Sequence, residues 1–456
     1  MSNLMISVAG IRGVIGETVT PDLFAKFAAT YGSFRGGTKA KIILGRDSRI
    51  SGEMLRNSVS AGLVSVGCEV IDIGMCTTPT VGIQIRKQKA RGGIMLSASH
   101  NPIQWNALKL FWQDGVFMDP SQGQKFLKLF HDNKIKYVDV HHLGKIKEHP
   151  KALEEHIQLV LSHIAKNSIK KRKFRIVIDP CNGAGGLIII PLLKKLGCQI
   201  IAINETPNGR FAHTPEPVPE NLTQLSKAVK KYKADLGIAT DPDVDRVAFV
   251  SDKGRPIGEE NGLALVVDYI LQKNSKGKKP KSKNPVVVVN MSTSRVMEDV
   301  AEKHNAKVIR TKIGEAHVAR RMMSEPNCII GGEGNGGVIY PPTHYGRDAA
   351  IGVGLLLESM AASGKSLSQL ADELPHYDIV KDKIEIEKKL IPGFLNKILK
   401  KYSSEKVDTL DGVKINLKDS WVHVRPSGTE PIVRIIAEAK SVSSAKKLCR
   451  SVKSLL

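Results

Sequence analysis

The chain contains no apolar run of about 18 residues, the length a bilayer-spanning helix needs, so no membrane partner is expected. Its amino terminus, MSNLMISVAGIRG, lacks the basic and apolar regions of a signal peptide, and a cytoplasmic location is the expectation. Cysteine is scarce: Cys68, Cys76, Cys181, Cys198, Cys328 and Cys449 are scattered over 456 residues with no CxxC pair. That argues against a zinc site and a disulfide framework, and leaves most of them as small buried apolar residues. Aromatic residues make up 5% of the chain, too few for an extended base-stacking surface. Acidic residues are outnumbered by basic ones, 45 to 68, giving a formal net charge of +23.

A charge of that size favours anionic partners and speeds their encounter. Two clusters supply much of it, IKKRKFR (169–175) and KNSKGKKPKSKN (273–284), each just before an apolar β run. Without interleaved aromatics they read as solvated linkers, and nucleic-acid binding is the less favoured alternative. A 41% hydrophobic and 25% charged composition is that of an ordinary globular protein, and the length suits three or four domains.

A unit repeats three times. Its first β run is KIILGRD (41–47), FRIVIDPCNGAGG (174–186) or PVVVVNMSTSR (285–295). A helix-length interval follows, then GCEVIDIG (67–74), GCQIIAIN (197–204) or NAKVIRTK (305–312), the spacing of parallel βαβ units. A third run ends in a polar loop: GGIMLSASHN, DLGIATDPDVDR or NCIIGGEGNGG. In open parallel sheets ligands bind beyond the carboxyl ends of the strands. Ser99, the carboxylates Asp241, Asp243 and Asp245, and Glu333 thus hold equivalent places in three copies, and are expected to face one cleft. Pro102 is expected to help end the strand that carries Ser99. After about residue 370 the pattern changes to a smaller α+β domain with RPSGTEP as a connecting loop.

Each loop permits a particular chemistry. In TDPDVDR (240–246) carboxylates at alternate positions of an extended segment can point together, and three of them suit the hard-oxygen preference of Mg²⁺. An EF-hand loop fails, because Arg246 stands where a glycine is needed. Solvated acids are the plain alternative, disfavoured by repulsion among three close like charges. Ser99 lies outside any G-x-S-x-G elbow, so a hydrolase is not indicated. A serine facing a Mg²⁺ site suits phosphoryl transfer, where positioning and charge neutralisation dominate. His100 could as well shape the turn, and Lys109 could serve as an acid or base or simply be a surface residue. RPSGTEPIVR (425–434) offers an oxyanion clamp with a bidentate Arg425. GGEGNGG (331–337) is not a dinucleotide loop, since no helix follows it at once. Glu333 and Asn335 could bind sugar hydroxyls, or the segment is a tight turn.

With SASHNP, TDPDVDR, GGEGNGG and RPSGTEP in order, the chain resembles the α-D-phosphohexomutases, which include phosphoglucosamine mutases, phosphomannomutases and phosphoglucomutases. The resemblance implies three related α/β domains with mixed sheets and a TATA-binding-protein-like α+β domain around a central cleft. The implied division is 1–150 with the phosphoserine loop, 151–256 with the metal loop, 257–370 with the sugar-binding loop and 371–456 with the phosphate-binding loop. It implies a phosphorylated Ser99 and Mg²⁺ held by Ser99, Asp241, Asp243 and Asp245. Arg12 and Arg246 would lie near the transferring phosphate, with Lys109 and His100 also catalytic. Glu333 and Asn335 would read the sugar. Arg425, Ser427, Gly428, Thr429 and Arg434 would hold the substrate's other phosphate.

The implied activity interconverts hexose 6-phosphate and hexose 1-phosphate through a hexose 1,6-bisphosphate. Asn335 stands at the family's usual serine and Gly337 at its usual histidine, so any role of that histidine does not carry over. Glucosamine phosphate is the favoured sugar, with mannose and glucose phosphates as alternatives. A catalytically inactive homologue or a basic nucleic-acid-binding protein is the reading from a different class. Oligomeric state is not readable from sequence; a homodimer is one option.

Overall fold

The computed structural model describes residues 4–7, 10–276, 282–427 and 432–456. The chain divides into two compact units, Met1–Tyr269 with Asn335–Ala371, and Ile270–Gly334 with Asp372–Leu456.

In the first unit, the first repeat becomes three parallel strands, Lys41–Arg46, Glu69–Met75 and Gly92–Leu96, with Lys41–Arg46 in the middle. The strand after the serine loop, Trp105–Phe111, returns antiparallel to Gly92–Leu96, and Gly10–Val14 pairs with it in turn. Edge strands Met5–Ser7 and Lys145–Glu148 complete a seven-stranded mixed sheet. Helices Pro21–Phe34 and Pro120–His131 cover one face, where Phe27 meets Phe126 and Phe130 edge to face at 4.8 and 5.0 Å.

The second repeat has the same order. Arg175–Asp179 lies between Gln199–Ala202 and Leu236–Thr240, and Val247–Ser251 returns antiparallel to the last. From Ile176 on, the inner strand Arg175–Asp179 is buried, as are Leu236–Thr240 and Val247–Ser251 throughout, while the edge strand Gln199–Ala202 is only partly covered.

In the second unit, Val286–Asn290 runs parallel between Lys307–Thr311 and Cys328–Glu333, again the first run of the repeat between its successors. The carboxyl-terminal part is a five-stranded antiparallel sheet, ordered Asp378–Glu385, Ile432–Ala439, Trp421–Pro426, Val413–Asn416, Lys406–Asp408. Helices Ile391–Lys401 and Val442–Lys453 bury Phe394, Ile398, Cys449 and Val452 in its core. No helix of the described residues is long and apolar enough to cross a membrane.

Three sequence expectations change. IKKRKFR is not a linker: Lys166–Arg172 is a short helix that buries Ile169, and its lysines face outward. Of the second basic cluster, residues 273–276 end helix Glu259–Lys276, and residues 277–281 lie outside the described residues. Pro102 does not end the serine strand, which stops at Leu96. The chain instead turns at Ser99, whose φ of +50° takes it out of extended conformation.

Candidate active site

Ser99 follows the third strand of the first repeat and is 3% exposed. Its left-handed backbone is held by a hydrogen bond from its own N–H to Ser97 Oγ at 2.9 Å. Strain of this kind persists only where surroundings over-determine it, and here one side chain supplies the surroundings. Buried Arg49 donates to the carbonyls of Ser99 and Asn101 at 2.6 Å each, of Pro102 at 2.8 Å and of Trp105 at 2.9 Å. Asp47 Oδ2 pairs with Arg49 Nε at 3.2 Å, so the buried guanidinium has a counter-charge as well as carbonyl acceptors.

The aspartate loop is a tight turn rather than the extended segment expected from alternation. Val244 has a φ of +62°, and its N–H closes on the Asp241 carbonyl at 3.1 Å. The three carboxylates converge because the chain folds back on itself: one oxygen from each lies within 4.8 Å of the others. The backbone of this turn is tied on several sides, by N–H groups of Thr78 at 2.9 Å, Ala184 at 2.9 Å and Ala349 at 3.2 Å.

Ser99 Oγ donates to Asp241 Oδ2 at 2.7 Å. Lys109 Nζ reaches Asp243 Oδ2 at 2.6 Å, and the Thr78 hydroxyl donates to the same oxygen. Arg347 Nη2 reaches Asp245 Oδ2 at 2.6 Å. Arg246 gives its backbone N–H to Asp241 Oδ1 at 3.1 Å, while its guanidinium lies 3.5 Å from Glu216 and 3.7 Å from Asp245 Oδ1. Arg12 Nη1 donates to Asn101 Oδ1 at 2.9 Å, on the serine loop. The His100 ring sits 3.4 Å from Ser99 Oγ. Burial, with Arg246 and Arg12 nearby, pushes His100 down to about 3, so its ring is neutral at pH 7.

The carboxylates are not equivalent. Burial, then the charges of Asp245 and Asp243, push Asp241 well above the usual carboxylate range. Burial works the same way on Asp243, but Lys109 and the hydrogen bonds from Lys109 and Thr78 overcome it and hold that group low. Asp243 Oδ1 and Asp245 Oδ1 are buried with no hydrogen-bond donor among the described residues. Buried oxygens left bare beside a neighbouring carboxylate whose charge is resisted fit a small divalent cation.

In the second unit, buried Glu333 accepts from Asn290 Nδ2 at 2.9 Å and from the Gly314 N–H at 3.0 Å. Arg425 Nε pairs with Asp411 at 2.9 Å, and Arg434 stands opposite Arg425 in the antiparallel ladder, with Lys383 opposite Arg434. These strands thus present a row of three cations. Ser427 closes toward Ile432 through its N–H at 2.9 Å; Gly428 and Thr429 lie outside the described residues.

Four family descriptions match consecutively. Phosphoglucomutase/phosphomannomutase alpha/beta/alpha domain I matches residues 4–158, domain II 154–254, domain III 259–377 and the C-terminal domain 380–454. The chain belongs to the phosphoglucomutase/phosphomannomutase family. It is 38% identical to a phosphoglucomutase/phosphomannomutase of Thermococcus kodakarensis, covering 96% of this chain and 95% of that protein. It is 36% identical to a phosphoglucosamine/phosphogalactosamine mutase of Sulfurisphaera tokodaii, covering 98% of each. The crystal structure of a family protein from Burkholderia thailandensis shares the fold with a TM-score of 0.84 at 24% identity, covering 99% of this chain and 98% of that one.

Within this family member, Ser99, His100, Lys109, Arg12, Asp241, Asp243, Asp245 and Arg246 gather in the first unit. Asn335 belongs to that unit too; Glu333, Arg425, Ser427 and Arg434 belong to the second. Sequence reasoning missed Arg49, Asp47, Thr78 and Arg347. For the first pair a signal exists: in KIILGRDSR, an apolar strand runs directly into an Asp-Ser-Arg that is then too close to the core to be solvated.

Proposed function

We propose that this chain is a phosphohexomutase that interconverts hexose 6-phosphate and hexose 1-phosphate through phosphorylated Ser99 and a hexose 1,6-bisphosphate. The observation that carries the reading is the Ser99 hydroxyl, 2.7 Å from Asp241 within a cluster of three buried carboxylates. Asp241, Asp243 and Asp245, with the phosphorylated serine, would hold Mg²⁺. When bound, that ion supplies positive charge to offset the charge on the transferring phosphoryl group.

The chain's own groups do the rest. Arg49 fixes the serine loop so that Oγ is presented at one place. Lys109 and Arg246 line the same spot with positive charge. In the first transfer a sugar hydroxyl oxygen bonds to phosphorus as the Oγ–P bond breaks, and the net proton movement is from that hydroxyl to Ser99 Oγ. The second transfer reverses this with the other phosphate of the bisphosphate. Arg425, Ser427, Gly428, Thr429 and Arg434 would anchor the phosphate that is not reacting, and Glu333 with Asn335 the sugar hydroxyls.

Relatives named for phosphoglucosamine support glucosamine phosphate as the preferred sugar; mannose and glucose phosphates are the alternative, supported by the relative named phosphoglucomutase/phosphomannomutase. A cytoplasmic location fits such soluble substrates. The test is a coupled mutase assay with glucosamine, mannose and glucose phosphates on wild type and Ser99→Ala. Turnover by wild type alone supports the reading, and equal turnover by both overturns the phosphoserine relay.

A further inference from the structure

The Arg347 guanidinium is an unusual neighbour for the aspartate turn. Its side chain is 10% exposed, Asp245 is fully buried, and the two meet at 2.6 Å. A charge this deeply buried needs a partner and a built place. The place is made by Gly337: a Cβ there would lie 2.2 Å from Arg347 Cδ and 2.8 Å from Cγ. Real Cβ atoms do not approach so closely, so the arginine side chain occupies the space that any other residue at 337 would fill.

Both segments are also tied to the aspartate turn through backbone. The Val247 N–H donates to the Gly336 carbonyl at 3.1 Å, and the Ala349 N–H to the Val244 carbonyl at 3.2 Å. The Asp348 N–H donates to the Val338 carbonyl at 2.8 Å, joining the two segments beside Arg347. Gly336 is itself required, with φ +84° and a Cβ position 2.3 Å from the Val247 carbonyl oxygen.

We propose that Arg347 is a positioning residue for the aspartate turn, and that Gly337 is the gap it depends on. The guanidinium takes Asp245 Oδ2 and sets the carboxylate plane. Oδ1 accepts no hydrogen bond from the described residues, with only the Arg246 guanidinium 3.7 Å away, and so keeps its lone pairs for a cation. Groups that orient metal-binding carboxylates are worth roughly 10–100-fold in metal affinity. This role rests on reading the three carboxylates as a divalent cation site.

The test is Mn²⁺ binding, followed by titration calorimetry on the full chain after chelator treatment, for wild type, Arg347→Gln, Gly337→Ala and the double variant. Arg347→Gln and Gly337→Ala are each expected to weaken Mn²⁺ binding by about 10–100-fold. The double variant is expected to be no weaker than Arg347→Gln alone, because a glutamine that no longer grips Asp245 is free to swing its Cγ and Cδ clear of the alanine methyl, whereas the anchored arginine is not. A general loss of packing would instead add. Arg347→Lys, which keeps the charge without the fork, is expected to recover part of the loss.

If Arg347→Gln fails to fold, Gly337→Ala against wild type reads the same displacement. Unchanged or tighter binding without the arginine, or full additivity with Gly337→Ala, overturns the proposal and leaves the cation site standing. A wild type that takes up no Mn²⁺ overturns the cation site, and the role of Arg347 with it.

Discussion

Ser99 and Asp241, 142 residues apart, share a hydrogen bond of 2.7 Å at the ends of equivalent strands in two successive repeats. Burying Asp241 there carries a cost that this hydrogen bond only partly offsets. With burial and two neighbouring carboxylates raising its pKa, Asp241 contributes stability that is full below its unfolded value and lost as pH rises through the folded one. Metal-free protein is therefore expected to melt at lower temperature as pH is raised from about 4 toward neutrality. Asp241→Asn should flatten that dependence and raise the metal-free melting temperature at pH 7, while mutase turnover falls by about 100-fold or more. Calorimetric melts in chelator alongside the coupled assay check both halves.

Arg49 is expected to be among the costliest single positions in the serine loop. Its removal leaves Asp47 buried without its cation and four carbonyls without their donor. Arg49→Met should cost about 3–5 kcal/mol in urea unfolding. Arg49→Lys should recover little, since one ammonium cannot reproduce a planar fork serving several acceptors. The same variants should take up less phosphate on Ser99 when incubated with hexose 1,6-bisphosphate, measured by intact mass. Normal stability in Arg49→Met would remove this residue from the account of the strained loop.

The threefold repeat is legible in sequence because parallel strands buried on both faces leave continuous apolar runs, and the loop residues follow them directly. Asp241, Asp243 and Asp245 are legible for a similar reason: repelling acids placed together need a cation. Their geometry is not, since the turn at Val244 depends on a left-handed valine that no local preference favours. Arg49 and Arg347 are hidden differently. A lone arginine after a strand or before a helix is usually solvated, and only chain segments distant in sequence, Ser99–Trp105 for one and Gly337 with Asp245 for the other, bury it.

His213 is expected to make stability sensitive to alkali. Its Nε2–H donates to Asp179 Oδ2 at 3.0 Å and its Nδ1–H to the Thr214 carbonyl at 2.9 Å, so both nitrogens face acceptors and the ring is held as a cation. The Asp179 hydrogen bond, then Cys181 beside the ring, pushes it up to about 11. The stabilisation is complete below the unfolded value of about 6.5 and disappears as pH climbs through about 11. His213→Gln should be destabilised relative to wild type at pH 7 and lose less stability than wild type between pH 7 and 11. Parallel slopes for the two proteins in melts across that range would contradict the assignment.

His156 links the helix that opens next to the aspartate turn to the helix whose Thr78 holds Asp243. The ring is buried, with Nε2 2.8 Å from Asp348 Oδ2 and Nδ1 2.9 Å from Thr80 Oγ1. Asp348 in turn caps helix Ala349–Ser363 through the Ala350 N–H at 2.9 Å. Burial raises the Asp348 carboxyl, but His156 and then His344 overcome it and hold the group below the usual range. Its contribution is present above the unfolded value of about 4 and fades as pH falls through the lower folded one. His156→Leu removes the nearer of that carboxylate's two imidazole partners, leaving His344 at 3.5 Å, and an expected loss of about 3 kcal/mol at pH 7 follows. Asp348→Asn keeps a capping oxygen while removing the charge, so adding it to His156→Leu should recover part of the loss. Urea unfolding of the two singles and the double closes the cycle, and strict additivity would mean that the buried pair is not a coupled unit.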